Sequence, residues 1–205
     1  MIFVNQLLSA VLQVLLLTAV PFLWYLITHR KAAGFFRWLG FVRAERPPVG
    51  WTAGILVAFL AVVLLPYLWL YRTGSLTYTG FTVDAYRASG WSPMTLGTIL
   101  VWAGVQTSLS EEIFFRGFLN KRLSGLLGLR AGCAVQGLLF GLIHLPAVWG
   151  RGILPAVTVV ALTGGVGWAL GWLSMEKASG SILYGWMLHA AVNLLSPVLV
   201  FLFLL

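Results

Sequence analysis

The sequence predicts an all-α, polytopic membrane helix bundle with about six transmembrane helices in a single domain, residues 1–205. Two observations support this class. Hydrophobic residues make up 60% of the chain and charged residues only 9%, whereas a soluble domain carries about 25% charged residues. The apolar residues also fall into runs of about 20, the length that crosses the hydrocarbon core of a bilayer. These runs use most of the chain and leave no room for a second domain.

The chain is strongly basic, with a formal net charge of +8. In a soluble protein this charge would suggest nucleic-acid binding. In a membrane protein, lysine and arginine in the inside loops set the orientation, so no nucleic-acid partner is expected. With the first loop inside, the inside loops hold nine lysines and arginines, and the outside loops hold three, Arg72, Arg87 and Arg151. Both termini are therefore expected outside, and the small size favours a bacterial inner membrane.

Two spans and a basic connection form the first part of the chain. The first span covers residues 2–27 and lacks both a basic leading segment and a small-residue cleavage site, which indicates a retained helix. In residues 32–42, aromatic side chains alternate with arginines, a pattern typical of a short helix in the membrane interface. A basic loop with aromatic anchors fits this segment equally well. The second span covers residues 51–71, and a polar loop follows over residues 72–92.

Four further spans form a motif-bearing core over residues 93–205. They are predicted at residues 93–122, 130–145, 153–174 and 182–205. Glycine pairs in two of these spans allow close helix approach and are assigned to packing: Gly137/Gly141 and Gly167/Gly171. Cys133 is the single cysteine of the chain and lies in an apolar run, which indicates a packing role.

Two of the five acidic residues, Glu111 and Glu112, are adjacent within the third span. A charged group at the bilayer centre costs roughly 2.5–3.5 kcal/mol on insertion scales, so it persists where it is paired or used. Arg116 lies four residues after Glu112 on the same helix face and is expected to form an ion pair with it. Glu111 points about 100° away, so the same arginine does not serve it equally. Glu112 is therefore expected to be structural, and Glu111 to act as a general base.

Two of the three histidines also lie within spans, each with a companion four residues away. Phe140 precedes His144 by one helical turn, and Asn193 follows His189 by one turn. A single histidine in a span is usually a hydrogen-bonded core residue, but two such pairs together with Glu111 favour catalysis. A carboxylate and an imidazole can activate water, while a second imidazole and an amide can stabilise an oxyanion. This is the minimum set for hydrolysing an amide bond without a covalent intermediate.

Taken in order, these three motifs resemble those of the CPBP family of intramembrane proteases. The motifs are Glu111-Glu112-x-x-x-Arg116, Phe140-x-x-x-His144 and His189-x-x-x-Asn193. The family includes CaaX prenyl endopeptidases and bacterial bacteriocin-processing or self-immunity proteins. The resemblance covers residues 93–193, roughly half of the chain, and implies an endopeptidase that acts near the C-terminus or juxtamembrane region of a membrane-embedded or lipidated substrate.

The resemblance also implies roles for individual residues. The catalytic residues would be Glu111, His144, His189 and Asn193. The supporting residues would be Glu112, Arg116 and Phe140. Glu111 with His144 would activate water, and His189 with Asn193 would stabilise the oxyanion. Family members have also been called metalloproteases, and the zinc ligands would then be Glu111, His144 and His189. No cofactor is favoured, because a ligating histidine normally needs a carboxylate behind it and no spare carboxylate serves both rings.

Two other functions fit polar residues within a membrane. One is a proton-coupled transporter, and the other is a non-catalytic scaffold whose polar cluster joins helices. The absence of an inverted sequence repeat and the small number of spans disfavour a transporter. Substrates compatible with the resemblance are a prenylated CaaX peptide, a bacteriocin leader and a bacterial C-terminal sorting tail.

Overall fold

Helices and their connecting turns make up the chain throughout the part that a computed structural model describes, which is residues 2–62, 64–74, 90 and 92–204. Side chains are described for the same residues apart from 64, 67, 71 and 196–204. No strand occurs in these ranges, so the all-α class is confirmed. Most of the predicted loop 72–92, with Arg87, lies outside the described residues.

Four helices form the N-terminal part: α1 (Ile2–His29), α2 (Phe35–Leu39), α3 (Val49–Val62) and α4 (Leu64–Arg72). Helix α1 agrees with the predicted first span, and α3 and α4 together cover the second. The segment expected to be either an interfacial helix or a loop contains the short helix α2. Glycines in the left-handed conformation flank this helix, Gly34 with φ 90° and Gly40 with φ 107°.

The predicted third span is one continuous helix over residues 93–127, called the motif helix below. It consists of α5 (Pro93–Leu100), two π-helical stretches (Val101–Leu109 and Glu112–Asn120) and α6 (Lys121–Leu127). Ser92 caps its start, because its Oγ accepts a hydrogen bond of 3.1 Å from the amide of Thr95. π-Helical turns are rare and recur at functional sites, and here the second of them carries Glu112 and Arg116.

The rest of the described chain consists of α7 (Leu129–Leu142), a 3₁₀ turn (Leu145–Val148), α8 (Ile153–Trp172) with its π-helical extension Leu173–Lys177, and α9 (Leu183–Leu204). Among the described helices, two are long and apolar enough to cross a membrane, Ile2–His29 and Ile153–Lys177. Shorter apolar helices lie at the predicted second, fourth and sixth spans: Val49–Val62, Leu129–Leu142 and Leu183–Leu195. The protein is therefore an all-α membrane helix bundle, as predicted, with helices of unequal length.

Helices α7 and α8 approach each other closely through glycines. A Cβ atom on Gly137 would lie 2.7 Å from the carbonyl oxygen of Gly164, and one on Gly141 would overlap the carbonyl oxygen of Val160. On α8, a Cβ atom on Gly167 would lie 2.9 Å from the Phe140 ring. These glycines have the packing role that their spacing predicts, and their contact places α7 directly against α8.

A contact between α2 and the start of α9 joins the N-terminal part to the core. The carbonyl oxygen of Gly40, which follows α2, accepts a hydrogen bond of 3.0 Å from the amide of Ile182. Lys121 of the motif helix donates to the carbonyl oxygen of Trp38, at 3.2 Å. Phe35 and Leu39 of α2 are buried in an apolar cluster. The other buried members of that cluster are Tyr25, Ile113, Phe118 and Ile182.

Candidate active site

An ion pair lies on the inward face of the motif helix. Nη1 of Arg116 is 3.2 Å from Oε1 of Glu112, and both side chains are 0% exposed. The spacing of four residues brings the two side chains to the same face of the helix, as predicted. The pair places a carboxylate in the interior of the bundle with a cation beside it.

His189 of α9 lies against both glutamates. Its Nδ1 is 3.2 Å from Oε1 of Glu112, and its Nε2 is 3.8 Å from Oε2 of Glu111. Because the carboxylate of Glu112 accepts, Nδ1 of His189 donates this hydrogen bond. The structure thus brings the first and third motifs together, although they lie 77 residues apart in the chain.

A glycine on α9 allows this approach. Gly185 lies one turn before His189, and a Cβ atom on it would be 2.7 Å from Oε2 of Glu112. A side chain at position 185 would therefore occupy the space of the carboxylate. The role of Gly185 is not apparent from the sequence, since only its distance to a residue on another helix reveals it.

The ring of Phe140 links the second motif to the other two. The guanidinium carbon of Arg116 lies 4.2 Å from its centroid, a cation–π contact. The centroid of the His144 ring is 4.9 Å away and that of His189 is 6.0 Å away. Phe115 packs on the same ring at 5.0 Å. All three motifs therefore meet at Phe140.

His144 lies just beyond α7 and not inside it, which corrects the predicted fourth span of residues 130–145. The helix ends at Leu142, and His144 precedes a 3₁₀ turn that contains Pro146, a residue without the amide hydrogen needed to continue the helix. Nδ1 of His144 lies 2.7 Å from the carbonyl oxygen of Phe140. Because a carbonyl only accepts, Nδ1 carries the hydrogen, and Nε2 of the neutral ring is left as a proton acceptor.

Asn193 contacts the motif helix one turn before the glutamates. Its Nδ2 donates to Oγ1 of Thr107 at 2.9 Å and to Oγ of Ser108 at 3.1 Å. Thr107 in turn donates to the carbonyl oxygen of Trp102, so its hydroxyl is oriented to accept from Asn193. Both amide hydrogens of Asn193 are engaged in this arrangement, and the contact ties α9 to the motif helix beside the site.

A network of amides between α1 and the motif helix was missed by the sequence analysis. Gln6 donates to Gln106, which donates to Gln13 at 3.2 Å. Gln13 also donates to Oγ of Ser110 at 3.1 Å, directly before the two glutamates. Gln6 and Gln13 are seven residues apart, which is two helical turns, and this spacing was the available signal.

The zinc alternative, with Glu111, His144 and His189 as ligands, stays a prediction. No cluster of three or more His, Cys, Asp or Glu side chains suited to a metal ion occurs within the described ranges. Nδ1 of His189 is bonded to Glu112, and Nδ1 of His144 is bonded to a backbone carbonyl. The site as built is therefore one of carboxylates, imidazoles and an amide.

The comparison with protein families matches the part of the chain that holds this site. The model of the family described as type II CAAX prenyl endopeptidase Rce1-like matches residues 93–195, just over half of the chain. The matched range contains all seven residues of the three motifs. No curated protein and no solved structure shows a significant match to the chain.

Proposed function

Since the chain belongs to the type II CAAX prenyl endopeptidase Rce1-like family, we propose that it is an intramembrane endopeptidase using water activated by a glutamate and a histidine. The observation that carries the proposal is the meeting of the three motifs. His189 lies against both glutamates, and Phe140 lies between Arg116 and the two histidines. An arrangement of ionisable side chains inside a membrane protein is costly, and such residues usually serve a function.

In the proposed reaction, Glu111 and His144 activate the attacking water. Glu111 has no arginine partner among the described residues, unlike Glu112, and its carboxylate is free to accept a proton from water. Nε2 of His144 is the unprotonated nitrogen of the neutral ring and provides a second acceptor. The water oxygen attacks the scissile carbonyl, and the proton passes from Glu111 to the leaving amine.

His189 and Asn193 are proposed to stabilise the oxyanion that develops during this attack. Nε2 of His189 faces the space beside Glu111 and can donate when the ring carries both protons. Asn193 reaches the substrate by exchanging a hydrogen bond to Thr107 or Ser108 for one to the oxyanion. Glu112, which is paired with Arg116, orients the ring of His189. This is the positioning role that a carboxylate has toward a catalytic histidine.

We assign no metal to this reaction. The support is that no group of three or more His, Cys, Asp or Glu side chains suited to a metal ion occurs among the described residues. The expectation that no acceptor serves both histidine rings is wrong, because Nδ1 of His189 donates to Glu112 and Nδ1 of His144 donates to the carbonyl oxygen of Phe140. Both rings therefore retain Nε2 as a possible zinc ligand. A chelator therefore belongs in the test below.

The proposed substrate is a membrane-embedded or lipidated polypeptide cut near its C-terminus or juxtamembrane region, and a prenylated C-terminal peptide is the first candidate. The proposed location is a bacterial inner membrane, with both termini outside. Cysteine labelling tests the orientation in a Cys133→Ala background. A cysteine added at either terminus should react with an impermeant maleimide in intact cells, and labelling only after lysis would refute this orientation.

The test of the activity is cleavage of fluorogenic prenylated peptides and of a membrane-peptide library by the protein in liposomes. Wild type should cleave, and Glu111→Gln should lose about 10²-fold or more, the range for general-base catalysis. Glu176→Gln is the matched control, because Glu176 is exposed and lies outside the site.

Activity that survives in Glu111→Gln would refute the role of Glu111. Activity lost with a chelator and restored by zinc would refute the metal-free mechanism. Proton flux in place of cleavage would favour a transporter.

A further inference from the structure

Polar side chains follow each other along one face of the motif helix at intervals of four residues. These residues, called the polar stripe below, are Ser108, Glu112, Arg116, Asn120 and Ser124. The first four are completely buried, and Ser124 is partly exposed. The spacing keeps them on the inward side of the helix. The stripe therefore leads from the candidate active site to the basic end of the motif helix, where Lys121 and Arg122 lie.

Two more buried polar residues are Gln136 of α7 and Ser174 of the extension of α8. Ser174 lies three residues after Gly171 and therefore on the same helix face as that glycine. A Cβ atom on Gly171 would be 2.7 Å from Oε1 of Gln136 and 3.1 Å from Nδ2 of Asn120, so these groups converge. Asn120 also donates to the carbonyl oxygen of Gly171 at 3.1 Å. The resulting set, called the polar cluster below, consists of Arg116, Asn120, Ser124, Gln136 and Ser174.

Many polar atoms of this cluster are buried without a hydrogen-bond partner among the described residues. These atoms are Nε and Nη2 of Arg116, Oδ1 of Asn120, Oε1 and Nε2 of Gln136, and Oγ of Ser174. The hydroxyl of Ser124 likewise has no nitrogen or oxygen partner in the described chain. A buried polar atom without a partner is strongly destabilising, and one such atom is uncommon in a folded protein. So many in one place indicate that the cluster binds something.

The mixture of donors and acceptors identifies the chemical class of the ligand. Arg116 provides only donors, Oδ1 of Asn120 only accepts, and the side chains of Gln136 and Ser174 can do both. A metal cation would be repelled by Arg116, and an anion would leave the oxygens of Asn120 and Gln136 without donors. Water donates and accepts, and buried waters typically make about three hydrogen bonds to such otherwise unpaired groups.

We propose that the polar cluster binds a file of ordered water molecules that connects the basic end of the motif helix with Arg116 and Glu112. Ser124, a partly exposed residue whose hydroxyl is buried, lies at its outer end, and Asn120, Gln136 and Ser174 are its lining. The proposal that water occupies this path does not depend on the proposed function. The proposal that the active site consumes this water does depend on it. A hydrolase enclosed by lipid needs a route for the water that it consumes, and this path ends at the glutamates.

Cys133 provides a spectroscopic probe of this hydration. It is the single cysteine of the chain, is 1% exposed and lies beside Asn120 and Ser124. Its S–H stretch falls in a region of the infrared spectrum that is free of other protein bands. On transfer to heavy water, a thiol in contact with exchanging water converts rapidly to S–D, whereas a thiol in a dry apolar core converts only when the structure opens.

The matched control is a thiol in a dry position. Val159 is 1% exposed and belongs to an apolar cluster with Leu70 and Val148, so the double variant Cys133→Ala/Val159→Cys places the only thiol there. In liposomes, the S–H band of wild type should convert at least about tenfold faster than that of the control, because the control thiol exchanges only when the structure opens. Equal, slow conversion in the two proteins would overturn the proposal.

Removing polar groups from the cluster should slow the conversion of Cys133. Gln136→Met keeps the length of the side chain, and Ser174→Ala is the second variant should Gln136→Met fail to fold. Conversion as fast as in wild type in a folded variant would overturn the proposed lining. A loss of kcat with KM unchanged in the same variants would support the supply of water to the site. Because the infrared readout needs no cleavage, rapid conversion in a protein that cleaves nothing would refute the proposed function and leave the hydrated path standing.

Discussion

His189 is held by Glu112 through a hydrogen bond of 3.2 Å between Nδ1 and Oε1. The same oxygen of Glu112 lies 3.2 Å from Nη1 of Arg116. This one carboxylate oxygen thus orients the imidazole ring and pairs with the guanidinium. Nε2 of the ring faces Glu111. The two adjacent glutamates therefore share His189 but differ in their second partner, because among the described residues only Glu112 also pairs with Arg116. The proposed division between a structural Glu112 and a Glu111 that acts on water rests on this difference.

Replacing Arg116 by methionine should destabilise the protein strongly. The substitution leaves the carboxylate of Glu112 buried without its cation, and breaking a buried pair in this way costs about 3–5 kcal/mol. Denaturant unfolding in detergent measures the loss. Arg37→Met is the control, because Arg37 is exposed and such changes stay within about 0.5 kcal/mol. Adding Glu112→Met to Arg116→Met should recover part of the stability, and a double variant less stable than the single one would contradict the pairing.

Gly185→Ala should lower kcat by displacing the carboxylate of Glu112. The added methyl group would lie 2.7 Å from Oε2 of Glu112, so the carboxylate and His189 must shift. A displacement of this kind commonly costs about 10²-fold in rate when it disturbs catalytic geometry. Gly165→Ala is the matched control, since beyond its own helix backbone no described atom lies within 4 Å of the added Cβ atom. A Gly185→Ala enzyme with wild-type kcat would show that the position of Glu112 does not matter for the reaction.

Asn193→Ala distinguishes an oxyanion donor from a purely structural amide. Loss of an oxyanion donor lowers kcat by about 10²–10³-fold with little change in KM. Thr107→Val removes one of the two hydroxyls that Asn193 contacts and leaves its amide hydrogens available. We therefore expect Thr107→Val to retain most of the activity. If Thr107→Val and Asn193→Ala lose equal activity and equal stability, Asn193 only joins two helices.

Gly141→Ala should weaken the contact between α7 and α8. The new Cβ atom would overlap the carbonyl oxygen of Val160, a backbone atom that cannot move alone. Overpacking of this kind costs typically 1–3 kcal/mol. Thermal unfolding in detergent compares this variant with Gly165→Ala, in which the added methyl group meets open space. Equal stability of the two variants would contradict the close helix contact.

Local spacing explains how much of the candidate site the sequence could predict. Glu112 and Arg116 are one turn apart on the motif helix, so this pair could be placed on one helix face from its spacing alone. Phe140 and His144 have the same spacing, but His144 lies in the turn after α7. The choice of Glu112 over Glu111 by Nδ1 of His189 depends on how α9 packs on the motif helix. The spacing of residues within one segment predicts neither this choice nor the close approach of Gly185 to Glu112.

Helix geometry accounts for other differences. The π-helical stretches of the motif helix add residues to each turn, and their sequence carries no proline or glycine pattern that would mark them. The apolar pattern continues to Leu145 and predicts a span that includes His144, whereas Pro146 prevents the helix from continuing. The amides of Gln6 and Gln13 are uncharged, so the pattern of charged residues within spans does not reveal them.

The hydrogen bond from Ile182 to Gly40 has a consequence for how this chain can be divided. The family model matches residues 93–195, yet Ile182, directly before the helix that carries His189, is bonded to a residue outside them. The matched segment therefore does not contain every contact that positions the site. A chimera that takes only residues 93–195 from this chain would inherit the reacting groups without Gly40, the acceptor that holds the start of α9.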